Sequence, residues 1–100
     1  MGMFDWVVLP FKCPACKFEQ TRPNEFEEGI WQTKSTICSL DIYEKGSKIR
    51  FEEGTKMVEG EIEIHNVCSS CEKFARAVVK IRDGKLTDKV RYLKPEETQN

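Results

Sequence analysis

Apolar and polar residues alternate along much of this chain, and a period of two is typical of β-strands that bury one face. The apolar run over residues 4–9 and the β-branched stretch over residues 30–37 predict two strands. The polar residues 22–29 between them predict a loop. No stretch combines the 3.6-residue period with the length of a stable helix. The pattern therefore predicts a mostly β protein built from antiparallel sheets.

The clearest alternation lies in residues 58–67 and 73–82. The first stretch places glutamates on one face and mostly aliphatic side chains on the other, and the second alternates in the same way with basic side chains. One antiparallel register satisfies both faces. It pairs Glu63 with Arg76, Glu59 with Lys80, Ile62 with Ala77, Ile64 with Ala75 and Val58 with Ile81. A slip of one residue would turn every charge toward the core, whereas a shift of two keeps the faces and stays open.

Asp83-Gly84 follows directly and is typical of a two-residue type I′ turn. This turn predicts a third strand over residues 85–93, so that the C-terminal half forms a three-stranded meander. The register that the turn fixes pairs Ile81 with Leu86, Ala77 with Val90 and Ala75 with Tyr92. It leaves one mismatch, since Asp88 would face Val79.

A second hairpin is predicted around Lys45-Gly46, between residues 38–43 and 48–52. Its register pairs Ile42 with Ile49 and Leu40 with Phe51. Cys38 lies on the same apolar face and is expected to be a buried thiol. The alternatives for Cys38 are a substitute metal ligand and a reactive thiol.

Four of the five cysteines form two CxxC pairs that are 51 residues apart, and they are Cys13, Cys16, Cys68 and Cys71. Each CxxC loop can present two sulfurs to one ion, and two loops complete the tetrahedral Cys₄ shell of structural zinc sites. A catalytic zinc site would keep one position open for water. The same shell accepts iron, which we rank below zinc. Disulfide bonds would also account for paired cysteines, as would thioredoxin-like redox chemistry, which favours a CxxC at the start of a helix.

Length and charge narrow the class of protein. The chain has 100 residues, enough for one domain with a modest core that a metal could stabilise. We place this domain at residues 1–94 and a polar tail at residues 95–100. The net charge is −1, whereas nucleic-acid-binding domains usually carry a basic excess. Neither a signal peptide nor an apolar run of membrane-spanning length is recognised, so we expect a reducing, cytoplasmic location.

No group of residues predicts catalysis, and we expect a protein that is not an enzyme. His65 is the single histidine and is expected to be an ordinary strand residue, because four cysteines already fill a metal shell. The glutamates of residues 58–67 are better explained as partners of the basic strand than as an acid–base pair. The register also gives one basic face that could contact phosphate groups, formed by Arg76, Lys80, Arg82, Lys89 and Arg91.

The two knuckles, Cys13-Pro14-Ala15-Cys16 and Cys68-Ser69-Ser70-Cys71, each run into a predicted strand and in this resemble the zinc-ribbon family. The resemblance covers the knuckles and the strands beside them. It implies a Cys₄ zinc ribbon that is elaborated into a larger sheet. The chain departs from the family pattern at Lys17 and Glu72, where ribbons often have glycine, and in its long insert between the knuckles.

The opening Met1-Gly2-Met3-Phe4-Asp5, the WQTK segment at residues 31–34 and Cys38-x-Leu40-x-Ile42-Tyr43 also resemble small bacteriophage and prophage proteins. This resemblance implies a phage-encoded accessory protein in the host-cell cytoplasm and supplies no activity. From the sequence we therefore expect a non-enzymatic zinc-ribbon module that binds another protein. The alternatives are a nucleic-acid-binding ribbon that uses the basic face and a CxxC thiol redox protein.

Overall fold

The computed structural model describes residues 4–51 and 58–93, which form eight β-strands and no helix. The strands are β1 (Asp5–Val8), β2 (Phe11–Lys12), β3 (Glu19–Gln20), β4 (Trp31–Thr33), β5 (Ile42–Glu44), β6 (Gly60–Val67), β7 (Phe74–Arg82) and β8 (Lys85–Tyr92). One six-stranded sheet has the order β5-β1-β4-β6-β7-β8, and β2 pairs with β3 separately. The predicted mostly β class is confirmed, while the predicted tail at residues 95–100 lies outside the described ranges. No helix long and apolar enough to cross a membrane occurs in the described part of the chain.

The six-stranded sheet curls so that its two edges approach each other. The residues that follow β5 run antiparallel to the start of β8, through a bridge between Lys48 and Lys85. Beside this bridge, the N–H of Leu86 donates to the carbonyl of Ser47 at 2.8 Å. Because the sheet curls, its inner face encloses one core.

The apolar core fills the inside of the curl. Its largest fully buried side chain is Trp31, whose indole N–H donates to the carbonyl of Leu9 at 3.1 Å and whose ring meets Phe11 edge-on at 5.1 Å. The inner faces of the meander supply most of the aliphatic part, namely Ile62, Ile64, Ala77, Val79, Ile81 and Leu86. Each large aliphatic side chain buried in this way stabilises the fold by about 1.5–3 kcal/mol.

β6 and β7 pair with the faces that the sequence predicts but in a register shifted by two residues. The observed pairs include Glu61 with Lys80, Ile62 with Val79, Ile64 with Ala77 and His65 with Arg76. All five predicted facing pairs, among them Glu59 with Lys80, are therefore wrong. The shift arises because the knuckle occupies all of residues 68–73, between the closing pair Val67 and Phe74. A shift of two preserves the alternation, so the inner and outer faces are unchanged.

The Asp83-Gly84 turn joins β7 to β8 as predicted, and its φ values of 55° and 73° are those of a type I′ turn. The predicted pair of Ile81 with Leu86 is confirmed next to the turn, but a bulge follows and places Val90 opposite Val79 and Tyr92 opposite Ala77. The predicted pairs of Ala77 with Val90 and of Ala75 with Tyr92 are therefore wrong. The bulge removes the mismatch in which Asp88 would face Val79. Asp88 is instead exposed, with its carboxylate 3.1 Å from the ammonium group of Lys45.

The predicted turn at Lys45-Gly46 forms, with the N–H of Ser47 donating to the carbonyl of Glu44 at 2.9 Å and a φ of 90° at Gly46. The predicted pairing of residues 38–43 with residues 48–52 is wrong over the described residues. β5 lies parallel to β1, with Tyr43 opposite Val7, and it buries Tyr43 while Ile42 is exposed. The alternation in this stretch is therefore opposite to the predicted one.

Asp5 explains this difference, because its fully buried carboxylate gathers the loop that precedes β5. The carboxylate accepts hydrogen bonds from the hydroxyl groups of Thr36 and Tyr43 and from the N–H groups of Cys38, Ser39 and Asp41. To direct these N–H groups at one carboxylate, the backbone adopts left-handed φ values of 61° at both Cys38 and Leu40. A left-handed residue interrupts the regular alternation of a strand, so the predicted faces do not apply.

Candidate metal centre

Each CxxC pair lies at the end of a β-hairpin. Cys13 and Cys16 connect β2 to β3, and Cys68 and Cys71 connect β6 to β7. In both loops the N–H of the first cysteine donates to the carbonyl five residues later, at 2.8 and 3.0 Å. The residue after the second cysteine donates its N–H back to the carbonyl of the first, at 3.0 and 2.8 Å. The two loops thus share one backbone conformation and present their sulfurs in the same way.

The residue after each second cysteine has a left-handed backbone, with φ of 68° at Lys17 and 62° at Glu72. These are the two positions at which the sequence departs from the zinc-ribbon pattern. A left-handed conformation costs a residue with a Cβ about 1–2 kcal/mol, a steric cost that glycine avoids. Lys17 and Glu72 therefore adopt the geometry that glycine would provide, at some cost in stability.

Four sulfurs come together where the two hairpins meet. Cys13 Sγ lies 3.6 Å from Cys71 Sγ, and Cys16 Sγ lies 3.6 Å from Cys68 Sγ. All four sulfurs lie within 4.8 Å of one another, and none of the cysteines forms a disulfide. Metal–sulfur bonds of about 2.3 Å in a tetrahedron require sulfurs about 3.8 Å apart. The donor set therefore fits a single metal ion.

Solvent reaches this cluster mainly at one corner. Cys13 and Cys68 are buried, Cys71 is partly exposed and Cys16 is exposed. Four thiolates converging on one ion leave no coordination position for a substrate, which is the property of structural rather than catalytic metal sites.

The protein alone does not favour ionisation of all the thiols. The N–H of Cys16, 3.5 Å from the sulfur, lowers the pKa of Cys13 to about 6 against the effect of burial. Burial acts to raise the pKa of Cys68, but N–H groups of its knuckle outweigh it and lower that pKa. The N–H of Lys73 acts to lower the pKa of Cys71, but burial and the neighbouring sulfurs raise it to about 12. A bound cation would let all four thiols ionise together.

Cys38 and His65 lie outside this cluster. Cys38 is partly exposed rather than buried as predicted, and its thiol donates to the carbonyl of Thr36 at 3.2 Å. The ring of His65 meets Phe74 edge-on at 5.5 Å, and burial lowers the pKa of His65. Neither side chain is placed to bind the candidate metal.

The predicted acidic and basic faces meet in one close ion pair. Arg76 donates from Nε and Nη2 to the two carboxylate oxygens of Glu63 at 2.9 and 2.6 Å, and this bonding raises the pKa of Arg76. The predicted partnership therefore forms, but across a diagonal of the ladder rather than between facing residues. The other four predicted basic residues are exposed, and they are Lys80, Arg82, Lys89 and Arg91. The charge of Arg76 is already balanced by Glu63.

A shallow cavity of about 170 Å³ lies beside β2 and β3, lined by Pro10, Phe11, Lys12, Glu19, Thr21 and Tyr92. Its volume is below the roughly 300–1,000 Å³ of typical small-molecule sites. Within the lining, the Lys12 ammonium lies 3.9 Å from a carboxylate oxygen of Glu19. Both side chains of this ion pair are well exposed, with 60% and 66% of their surface in solvent.

Comparison of the chain with protein-family models, with curated proteins and with solved structures gives no match. Function is therefore inferred from the geometry. Within residues 4–51 and 58–93, the four cysteines are the one group of three or more histidine, cysteine, aspartate or glutamate side chains that are close enough to bind a metal ion.

Proposed function

We propose that this chain is a zinc-binding β protein in which a structural Cys₄ centre joins two hairpins and the surrounding sheet binds another protein without catalysis. The observation that carries the proposal is the convergence of four sulfurs from two distant CxxC loops to within 4.8 Å. Metal binding of this kind is coupled to folding, because the unfolded chain has no preformed site. On this proposal the ion makes a small sheet rigid enough to serve as a binding surface.

Zinc is preferred to iron on the chemistry of the donor set. Both ions accept tetrahedral sulfur ligands. Zinc has no redox chemistry and no geometric preference from d electrons, which suits a centre whose task is to hold two loops together. The zinc-ribbon resemblance of the knuckles points to the same ion.

The metal is tested on the full-length chain, purified in reducing buffer without a metal-affinity step. Elemental analysis should find one zinc per chain, and Cys16→Ser and Cys71→Ser should lose it. Cys38→Ser is the matched control and should keep stoichiometric zinc, because this thiol lies outside the cluster. Protein that contains iron, or neither metal, would contradict the proposal.

A non-catalytic role is supported by what the centre and the cavity offer. A shell of four thiolates would leave no open position on the ion. The cavity is smaller than typical small-molecule sites, and the Lys12–Glu19 pair in its lining is well exposed. The redox alternative is less well supported, because both CxxC pairs lie in turns between strands and not at the start of a helix. A protein that cycles between thiol and disulfide with thioredoxin while free of metal would favour that alternative.

The nucleic-acid alternative rests on the exposed basic residues of β7 and β8. It is weakened because Glu63 balances Arg76, and because Glu61 lies directly opposite Lys80. Fluorescence anisotropy with labelled poly-dT and poly-U decides the question. Binding that falls steeply with salt and is lost in Lys80→Glu/Lys89→Glu would favour nucleic acid as the partner. Absence of such binding, together with zinc-dependent binding to a purified protein partner, would support the lead proposal.

The place of action is proposed from the resemblance to phage and prophage proteins. On this reading the chain is phage-encoded and acts in the reducing cytoplasm of the host, where thiolates stay available to the metal. A gene located among phage structural or regulatory genes would support this reading, and a gene for a secreted product would contradict it.

A further inference from the structure

Residues 21–28, here called the Phe26 loop, project from the sheet and are exposed throughout. Phe26 has 96% of its surface in solvent and a left-handed φ of 72°. A bulky aromatic residue is uncommon in this backbone region. The loop thus presents an apolar ring to solvent without covering it.

Both ends of the Phe26 loop are fixed. At its start, the side-chain amide of Gln20 donates to the carbonyl of Arg22 at 3.1 Å. At its end, the N–H of Ile30 donates to the carbonyl of Val7, and Gly29 lies so close to Trp6 that an added Cβ would be 2.6 Å from the Trp6 Cβ. A fixed base reduces the entropy that the loop would lose on binding.

The residues on both sides of Phe26 in the chain are acidic, and Arg22, near the start of the loop, is the one basic residue of the loop. Glu25, Glu27 and Glu28 are all exposed, and no described residue forms an ion pair with them. The tip of the loop therefore combines one aromatic ring with carboxylates that lack a counter-charge among the described residues. A surface that accepts it must be apolar at the centre and basic at the rim.

The outer face of the sheet has such a surface beside the second knuckle. Val67 and Phe74 are a directly facing pair on β6 and β7, and they are 53% and 58% exposed. The ring of His65 lies against Phe74. We call these three residues the Phe74 patch. Charges of both signs act on His65, namely those of Glu63, Lys34 and Arg76, and Glu63 is paired with Arg76. The exposed lysines Lys34 and Lys73, of which Lys73 directly precedes Phe74, remain as the positive charges of the rim.

We propose that the Phe26 loop of one copy of this chain docks on the Phe74 patch of a second copy. Phe26 packs on Phe74 and Val67, and the carboxylates of the loop face Lys34 and Lys73. This inference rests on the proposed binding function and deepens it, because it names a partner. The two surfaces differ, so the contact is head-to-tail and each dimer retains one free loop and one free patch.

The test is sedimentation velocity on the zinc-loaded full chain over a range of concentrations. The sedimentation coefficient should rise with concentration at about 0.05 M salt and rise less at about 0.5 M, because the rim contacts are exposed charges. Phe26→Ala should weaken self-association at least about thirtyfold, as expected for an aromatic anchor. Its fold should be unchanged, since nearly all of the Phe26 surface is in solvent.

Mixing variants tests the head-to-tail geometry. Phe26→Ala lacks the anchor and Phe74→Ser lacks the patch, so neither should associate alone. An equimolar mixture should form one-to-one dimers and no larger species, because one intact loop and one intact patch remain. Lys73→Glu provides a second patch variant if Phe74→Ser loses zinc. Ile42→Ala and Glu44→Lys, at exposed positions of the edge strand β5, are the matched controls and should associate like the wild-type chain.

A chain that stays monomeric at every concentration, or that associates equally well with Phe26→Ala, would overturn the inference. So would a mixture that behaves as the sum of its components. These outcomes would leave the proposed function untouched, since that depends on zinc content and on zinc-dependent binding to a different protein.

Discussion

Side chains hold backbone loops together in two regions of the molecule, with opposite chemistry. We call the cluster of Cys13, Cys16, Cys68 and Cys71 the cysteine centre, and residues 36–41, which surround the Asp5 carboxylate, the Asp5 loop. In the first, four sulfurs converge on a position that suits a cation. In the second, one buried carboxylate collects hydroxyl and N–H donors from the loop before β5. The carboxylate receives its partners from the chain itself, and no buried side-chain N or O atom of the described residues lacks one. The Asp5 loop is thus held by the chain alone, and we call it the autonomous region. The two knuckles would need a bound cation, and we call them the conditional region.

The largest loss of stability should come from replacing a candidate metal ligand in the conditional region. We expect Cys16→Ser or Cys71→Ser to remove most of the stability of the fold, because metal binding and folding are coupled. NMR spectra of either variant should lose the dispersion of a folded β protein. Cys38→Ser should keep it. Full native dispersion in a metal-free ligand variant would show that the two knuckles are held together without the ion.

Replacement of Asp5 should damage the autonomous region by a smaller amount. Asp5→Ala leaves three partly buried N–H groups of the loop without an acceptor, and we expect a loss of about 3 kcal/mol in the free energy of unfolding. Asp5→Asn keeps one acceptor oxygen and should lose less. Urea unfolding of the zinc-saturated variants measures both effects. The zinc content should stay at the wild-type value, and loss of zinc would mean that the two regions are not independent.

Glycine at the left-handed positions of the knuckles should stabilise the conditional region. We expect Lys17→Gly and Glu72→Gly each to raise the free energy of unfolding by about 0.5–1 kcal/mol, because glycine relieves the backbone strain but loses more entropy on folding. Lys73→Gly, at a neighbouring residue without a left-handed backbone, is the control and should destabilise by a similar amount. Equal changes in the free energy of unfolding for Glu72→Gly and Lys73→Gly would show that the left-handed backbone at Glu72 costs no stability.

The smallest effect should come from His65, which burial makes harder to protonate. Its pKa is lowered below the ordinary 6.5 in the folded chain, so the unfolded chain binds more protons as the pH falls through 6.5. The wild-type chain should therefore lose slightly more stability than His65→Gln between neutral pH and the lowered pKa of His65. Taking the difference between the two proteins removes the contribution of the thiols. Identical pH profiles would contradict this expectation.

The predictable parts of the fold were those in which local pattern and global structure agree. The alternation identified the correct faces of β6 and β7, and Asp83-Gly84 identified the turn type. Val58 is the exception, because it lies before β6 and is 62% exposed instead of facing the core. The two CxxC spacings identified the four sulfurs that meet. In each case a short-range signal determines a geometry with few alternatives.

The parts that could not be predicted depend on groups distant in sequence or on backbone conformations without a residue signal. The knuckle length shifted the β6–β7 register, and the mismatch of Asp88 with Val79 marked a bulge but not its position. The Asp5 loop is the larger failure, since left-handed Cys38 and Leu40 give no sign in the sequence. One signal was available, because a carboxylate within the apolar run of residues 4–9 must find buried donors.

Because Cys16 is exposed, reagents reach the cysteine centre from one side. A chelator or an electrophile meets that thiolate first, while Cys13 and Cys68 are shielded by the protein. We therefore expect the first knuckle to lose its structure first, while the longer β6–β7 hairpin stays folded. Loss of the metal site would thus begin in the shorter hairpin, to which β2 and β3 contribute two residues each.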